Sequence, residues 1–474
     1  MTLAEPLLHA WPSEVPSHLP NVKTDVAQAK LTPNHSTDSD NSEDVATGKG
    51  VPDTKRMTGA EATFTLVSFL LNVAMFTLPF CFVRVGWLAA FLIMLTGSIC
   101  MLAALMLQEA LYALVGHGVR CPDYSDLATA ALGPAYASLA QLVALAELAI
   151  YGSNSVINLG NAAMAVCPLS RNSRILAGCM LCLLLSAFSD RAFAYINLIS
   201  SAASIAILGL LLYGGWQASE WAMPDTIPDT STDFWHYIPS CFAMMLFTAG
   251  THPLICGVMH TTRSYMELRR AILSAWTIYT AVTVLCAGLA YQMYGSSLQP
   301  FAMDNIGRDL QLHLQEGGAK LKVAAGVWMA IKVLVGIVPI TRPLANAYAR
   351  KMSWLGQDEA SGPLLMLPVL LSLAAAAVFF AERIEALESM AGCTVTSFNV
   401  LLLPAISYLL ICKPSGASYC CAVSFVVLGA VLALSPMAYV IWRTASGFED
   451  ITRSFHSMAE AMSALVRPWL AAES

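Results

Sequence analysis

The sequence predicts an all-α polytopic membrane protein of 11 transmembrane helices, built as a 5+5 inverted repeat plus one extra helix. Composition is the first observation behind this. The 474 residues are 57% hydrophobic and only 12% charged, with a mean hydropathy of +0.62. Soluble domains carry about 25% charged residues, so lipid is the natural solvent for this chain. The second is a set of long apolar runs. Segments 85–108, 192–219 and 271–303 hold no charge at all, whereas a buried helix of a soluble protein needs only about 10–14 apolar residues. The third is a pair of polar, helix-breaking clusters at matching places in the chain.

Residues 1–56 come first. They are rich in Pro, Ser, Asp and Asn, cannot bury a core, and read as a disordered cytosolic tail. No apolar stretch near the start resembles a cleaved signal. Glu5-Pro6-Leu7-Leu8 loosely suggests a dileucine sorting signal.

Residues 57–442 form the transmembrane domain. Spans are expected at 60–83, 87–115, 134–165, 174–189 and 193–216 in the first repeat (57–216). In the second (234–412) they fall at 236–260, 270–294, 321–342, 361–381 and 386–412. The extra helix is 416–442. The boundary between the ninth and tenth spans is the least defined, because Glu382, Arg383, Glu385 and Glu388 cluster there. Arg56, Arg120, Arg191, Arg263, Arg269, Arg270, Arg350 and Lys351 gather on one side of the bilayer, while the loop 217–233 has four acids and no base. That bias places the N terminus in the cytosol. In the C-terminal tail, 443–474, apolar residues recur at helical spacing, as in a short interfacial or exposed helix.

The thirteen cysteines lie mostly in apolar runs, where they pack as small hydrophobes. No metal-ligand spacing is seen. No phosphate-binding G-x-x-x-x-G-K-[ST] motif occurs, and no paired intramembrane histidines stand beside a nucleophile. The protein is therefore not expected to be a nucleotide-driven pump or an enzyme, and no cofactor is expected. Nothing marks a nucleic-acid face.

The first span contains Asn72 and Pro79 at mid-depth, and the sixth groups Thr248, Gly250, Thr251, His252 and Pro253. Proline removes a backbone donor and glycine loosens the helix. Freed main-chain groups persist at membrane depth only beside protein or a water-filled cavity. With an odd number of spans per half, the second half is inserted upside down, and corresponding breaks point to a binding site between the halves. Val73, Ala74, Met75 and Thr77 open the half-helix after the first break. Phe247, Thr248, Ala249 and Gly250 end the half-helix before the second.

The third span adds a polar stripe. Glu147, Tyr151, Asn154, Asn158 and Asn161 recur at i, i+4, i+7, i+11 and i+14, and so share one helix face. Ser155 adjoins that face. Glu147 relays protons or makes a structural hydrogen bond. Lys332 in the eighth span must find a partner, reach water or lose its proton. Its ammonium can stand where a bound cation would otherwise sit. Glu109 reads as an anchor near the cytosolic face.

At these residues the sequence resembles the amino acid/auxin permease family, within the wider amino acid–polyamine–organocation group. The likeness covers about 57–442 and rests on Leu78-Pro79-Phe80, Gly86-Trp87, Tyr124-Ser125-Asp126-Leu127, Leu132-Gly133-Pro134, Phe247 to Pro253, and Ala290 to Gly295. Asn72 and Ala74 stand where the family has glycine, and Ser68 where it usually has asparagine. The resemblance implies a LeuT-like fold and amino-acid transport by alternating access. The driving ion would be a proton, with sodium as the alternative. The substrate site would comprise Asn72, Val73, Ala74, Met75, Thr77, Tyr151, Asn154, Ser155, Phe247, Thr248, Ala249, Gly250 and His252, with Glu147 or Lys332 coupling the ion. Expected partners are an amino acid, the bilayer and a cytosolic protein bound by the tail. The membrane is the plasma membrane or a vacuolar or endolysosomal one. An amino-acid sensor that keeps the transporter fold is the competing expectation.

Overall fold

In the computed structural model, the described residues are 56–119, 122–165, 169–185, 190–218, 232–351, 366–380 and 384–446. The tail calls (1–55 and 447–474), the acidic stretch 219–231, and Glu382 and Arg383 lie outside them. Among the described residues the chain is almost wholly helical and has no strands, only the isolated bridges Met57–Thr262 and Arg308–Leu314.

A capping box opens α1 (Gly59–Leu70). Thr58 Oγ1 accepts from the Glu61 N–H at 3.3 Å, and Glu61 Oε2 accepts from the Thr58 N–H at 2.8 Å. The helix stops at Leu71, and Asn72 is extended with ψ 178°. A 3₁₀ turn (Val73–Thr77) then leads into α2 (Leu78–Val85), bent by 47° from α1. Pro79 falls in the first turn of α2, where a missing N–H leaves no acceptor unserved. Gly86 (φ 57°, ψ −148°) makes the turn into α3 (Leu88–Gly116), in a region that excludes a side chain.

The short α4 (Tyr124–Leu132) leads into α5 (Pro134–Ala162), which carries the polar stripe. Next come α6 (Arg171–Leu185) and α7 (Asp190–Ala218). The sixth span is two helices, α8 (Thr232–Ala249) and α9 (His252–Thr261), separated at Gly250–Thr251. Pro253 stands in the first turn of α9, as Pro79 does in α2. The chain continues through α10 (Tyr265–Tyr294), α11 (Gly318–Lys351), α12 (Met366–Phe380) and α13 (Ile384–Ala391). A π-helical stretch (Gly392–Leu402), α14 (Leu403–Ser407) and a second π turn (Tyr408–Cys412) complete the tenth span. The last helix, α15 (Gly416–Ser446), leans on that π stretch and turns Val427, Val431 and Leu434 outward.

Eight helices among the described residues are long and apolar enough to cross a membrane, nine if the bent pair of the first span counts as one. Eleven were expected. The shortfall lies in the fourth and ninth spans. Their helices, α6 and α12, have 15 residues each, and both border stretches outside the described residues. The α6 helix also starts with Arg171 and Arg174, the latter buried with its Nε–H on the Gly160 carbonyl at 2.9 Å.

Two ties hold the end of the bundle nearest the N terminus. The Met57 N–H donates to the Thr261 carbonyl at 2.6 Å and the Arg263 N–H to the Met57 carbonyl at 3.1 Å, joining the first span to the end of the sixth. Glu109 pairs with Arg269 at 3.0 Å and accepts from the Tyr265 hydroxyl, joining α3 to α10.

Candidate functional site

The two breaks meet. Asn72 Nδ2 donates to the Thr248 carbonyl at 3.0 Å, across 176 positions of sequence. Because a carbonyl accepts there, the amide nitrogen must face it, and Oδ1 points elsewhere.

Beside this contact lies a cavity with about 570 Å³ between its atoms, open space at the mouth included, of which about 40 Å³ admits the centre of a water molecule. Its walls come from the first, third, sixth and eighth spans. Of the residues expected at the site, Asn72, Val73, Ala74, Tyr151, Asn154, Ser155 and Lys332 line it. Ser68 and Thr251, which were not expected there, line it too. Ser68 Oγ, Asn72 Oδ1 and Thr251 Oγ1 are buried and have no hydrogen-bond partner among the described residues. Buried polar atoms are normally paired, so these three unpartnered polar atoms leave the cavity able to take water or a polar ligand. The 3₁₀ turn begins with the Met75 N–H on the Asn72 carbonyl at 3.3 Å. The N–H groups of Val73 and Ala74 come before that first closed turn.

The other expected residues stand around the cavity rather than on it. Thr77 Oγ1 lies 2.7 Å from the Ala74 carbonyl and 2.8 Å from Glu388 Oε2. The Phe247 carbonyl accepts from the Tyr151 hydroxyl and from the Gly250 N–H. The two rings stack with centroids 4.3 Å apart. The Thr248 hydroxyl donates to the Met245 carbonyl at 2.9 Å and accepts from the Tyr279 hydroxyl at 2.8 Å. Ala249 is buried, and Gly250 packs against Thr396 and Val400. His252 turns the other way: its Nε2–H meets the Cys100 carbonyl at 3.0 Å, and its ring stands edge-on to Trp276.

Lys332 is buried in the cavity wall. Its Nζ donates to the Ser68 carbonyl at 2.7 Å and to Ser200 Oγ at 2.9 Å. It thus joins the first, fifth and eighth spans next to the first break. Glu147 lies apart from the cavity, accepting from Asn399 Nδ2 at 2.7 Å at the seam with the tenth span.

Sequence reasoning did not place Glu388 at the site. It is fully buried and accepts from Asn154 Nδ2 at 2.8 Å. In the sequence it falls in the charged cluster that blurs the boundary between the ninth and tenth spans, at the start of the span expected at 386–412. The signal that could have found it is its position just inside an apolar run. No group of side chains able to hold a metal ion is found among the described residues.

A bundle of helices long and apolar enough to cross a membrane, with two interrupted spans joined beside a buried cavity, defines a class: polytopic integral membrane proteins. A family model described as "Transmembrane amino acid transporter protein" matches residues 55–445. The chain belongs to that family, the amino acid/auxin permease family. No curated protein matches it. Membership establishes an integral membrane protein concerned with amino-acid transport.

Proposed function

We propose that the chain is a secondary active carrier of small neutral amino acids, driven by a proton and working by alternating access. The meeting of the two breaks beside three polar atoms without a partner among the described residues, one amide oxygen and two hydroxyls, carries this reading. Asn72 Oδ1 has only lone pairs to offer and suits the substrate ammonium, helped by the hydroxyls of Ser68 and Thr251. The N–H groups of Val73 and Ala74, at the positive end of the half-helix, suit the carboxylate. The rest of the wall sets Tyr151, Asn154 and Ser155 among the apolar Leu148, Leu254, Val333 and Ile340. The one ammonium in it, Lys332, is held by two oxygens. An apolar or small polar side chain fits such a wall, and an acidic or basic one would enter without a partner.

Lys332 acts as a fixed internal cation, so the carrier needs no sodium. Glu147 secures the seam between the third and tenth spans. The five-plus-five inverted repeat supplies the two halves that rock about the cavity, and α15 stands outside them.

A second reading is favoured by the Asn72–Thr248 bond. It stands where the family has a small glycine, and it ties together two spans that a carrier must part. A receptor would keep that tie and bind without turnover.

Uptake of labelled alanine, proline and glutamate into proteoliposomes separates these readings. The carrier reading expects uptake of the neutral amino acids under an inward proton gradient, unchanged when choline replaces sodium, with glutamate excluded. Tight binding without flux would favour the receptor. No uptake and no binding of any amino acid would end both.

A further inference from the structure

A glycine stands at the centre of the face that the eighth span turns to the cavity. On α11, Lys332, Val333, Gly336 and Ile340 line the cavity wall. They fall at i, i+1, i+4 and i+8, so they share one helix face with Gly336 in its middle. Glycine weakens a helix relative to alanine, and close packing is the usual reason for one inside a bundle. That reason is visible elsewhere in this chain. A Cβ on Gly152 of α5 would come within 2.7 Å of Leu373, and one on Gly160 within 2.8 Å of Ile175. A Cβ on Gly336 meets nothing within 4 Å among the described residues. Its neighbours along the helix face the cavity, so the open space beside it is the cavity.

The groups assigned above to the substrate's ammonium and carboxylate come from the first and sixth spans: Ser68, Asn72, the Val73 and Ala74 amides, and Thr251. An α-amino acid held by both ends there must turn its side chain to another wall. On the third span the larger polar side chains are engaged. Asn154 Nδ2 donates to Glu388 Oε1 and its Oδ1 accepts from Asn158 Nδ2, each at 2.8 Å, while the Tyr151 hydroxyl donates to the Phe247 carbonyl. The eighth span instead offers a gap in its own row of side chains, between Val333 and Ile340.

We propose that Gly336 is the specificity-determining position, with the substrate's side chain lying against its bare backbone. The proposal rests on the amino-acid site of the carrier reading. The space that admits water centres is about 40 Å³, room for about three water molecules. Each carbon added at position 336 removes a large share of it. Gly336 thus decides how long a side chain enters, while the first and sixth spans decide that the ligand is an amino acid.

The test measures binding to the full chain in lipid nanodiscs of glycine, alanine, 2-aminobutyrate and norvaline, a series that lengthens by one carbon at a time. Binding rather than uptake is read, so flux is not required. The wild type should bind alanine and longer members. Gly336→Ala should keep glycine and weaken the longest accepted member about tenfold or more relative to glycine, the effect of one carbon in an apolar pocket. Gly336→Val should keep glycine alone. Gly257→Ala, also a site where a Cβ meets nothing within 4 Å but away from the cavity wall, should match the wild type across the series. The ratio to glycine is the deciding quantity, because a general loss of folded protein does not move it. Unchanged ratios in G336A and G336V overturn the proposal. So does glycine weakened as much as the rest, or a wild type that binds glycine alone. If G336V does not fold, G336A decides by itself. A wild type that binds none of the series refutes the carrier reading and the proposal together, whereas in every other failure the wild type still binds.

Discussion

Lys332 shows how a single residue ties three spans together beside the cavity. Its Nζ donates to the Ser68 carbonyl and Ser200 Oγ at 2.7 and 2.9 Å. Lys332→Met removes both and leaves a buried carbonyl without its donor. We expect a loss of about 2–4 kcal/mol, measured by denaturant unfolding in detergent. Sodium should recover part of that loss in K332M and leave the wild type unmoved. Equal stabilisation of both by sodium would show that Lys332 does not stand in a cation's place. Lys332 was legible in the sequence, since any lysine at mid-span must be accounted for. Tyr151 and Asn154 were legible too, because helical periodicity put them on one face. The direction of His252 was not. A break resets the helix phase, so the residue after it cannot be assigned a face by counting. Thr251, one position earlier, points into the cavity instead.

At the scale of elements, the breaks in the first and sixth spans could be read from Asn72, Pro79, Gly250 and Pro253. Their contact with each other could not, because it depends on packing between spans 176 residues apart. The tenth span was the least legible. Its π-helical stretch has no pattern that separates it from an α-helix, and its charged start hid Glu388. Packing there is close. A Cβ on Gly392 would lie 1.9 Å from the Ala243 carbonyl oxygen, whereas one on Gly257 meets nothing within 4 Å. Gly392→Ala should therefore destabilise the bundle by about 2 kcal/mol or more. Gly257→Ala should be neutral or stabilise by up to about 1 kcal/mol. Thermal unfolding of the two variants side by side checks the contrast, and equal behaviour would mean the tenth span does not press on the sixth as described.

For the whole molecule, hydropathy made the helical, membrane-spanning class plain, because so few charges leave no other solvent. The span count was harder. Eleven apolar segments correspond to eight or nine helices of full spanning length among the described residues, since length in sequence does not say where a helix ends. The family match over 55–445 agrees with the resemblance carried by the motifs between Leu78 and Gly295. Two broken spans meet beside a cavity, and the proposed amino-acid site lies there. The most direct measurement is a cryo-electron microscopy map of the full chain in a lipid nanodisc with a transported neutral amino acid. It should show non-helical backbone at 71–72 and 250–251, with ligand density between the Val73–Ala74 amides, Asn72 and Thr251. Unbroken helices through both segments, or ligand bound away from them, would contradict it.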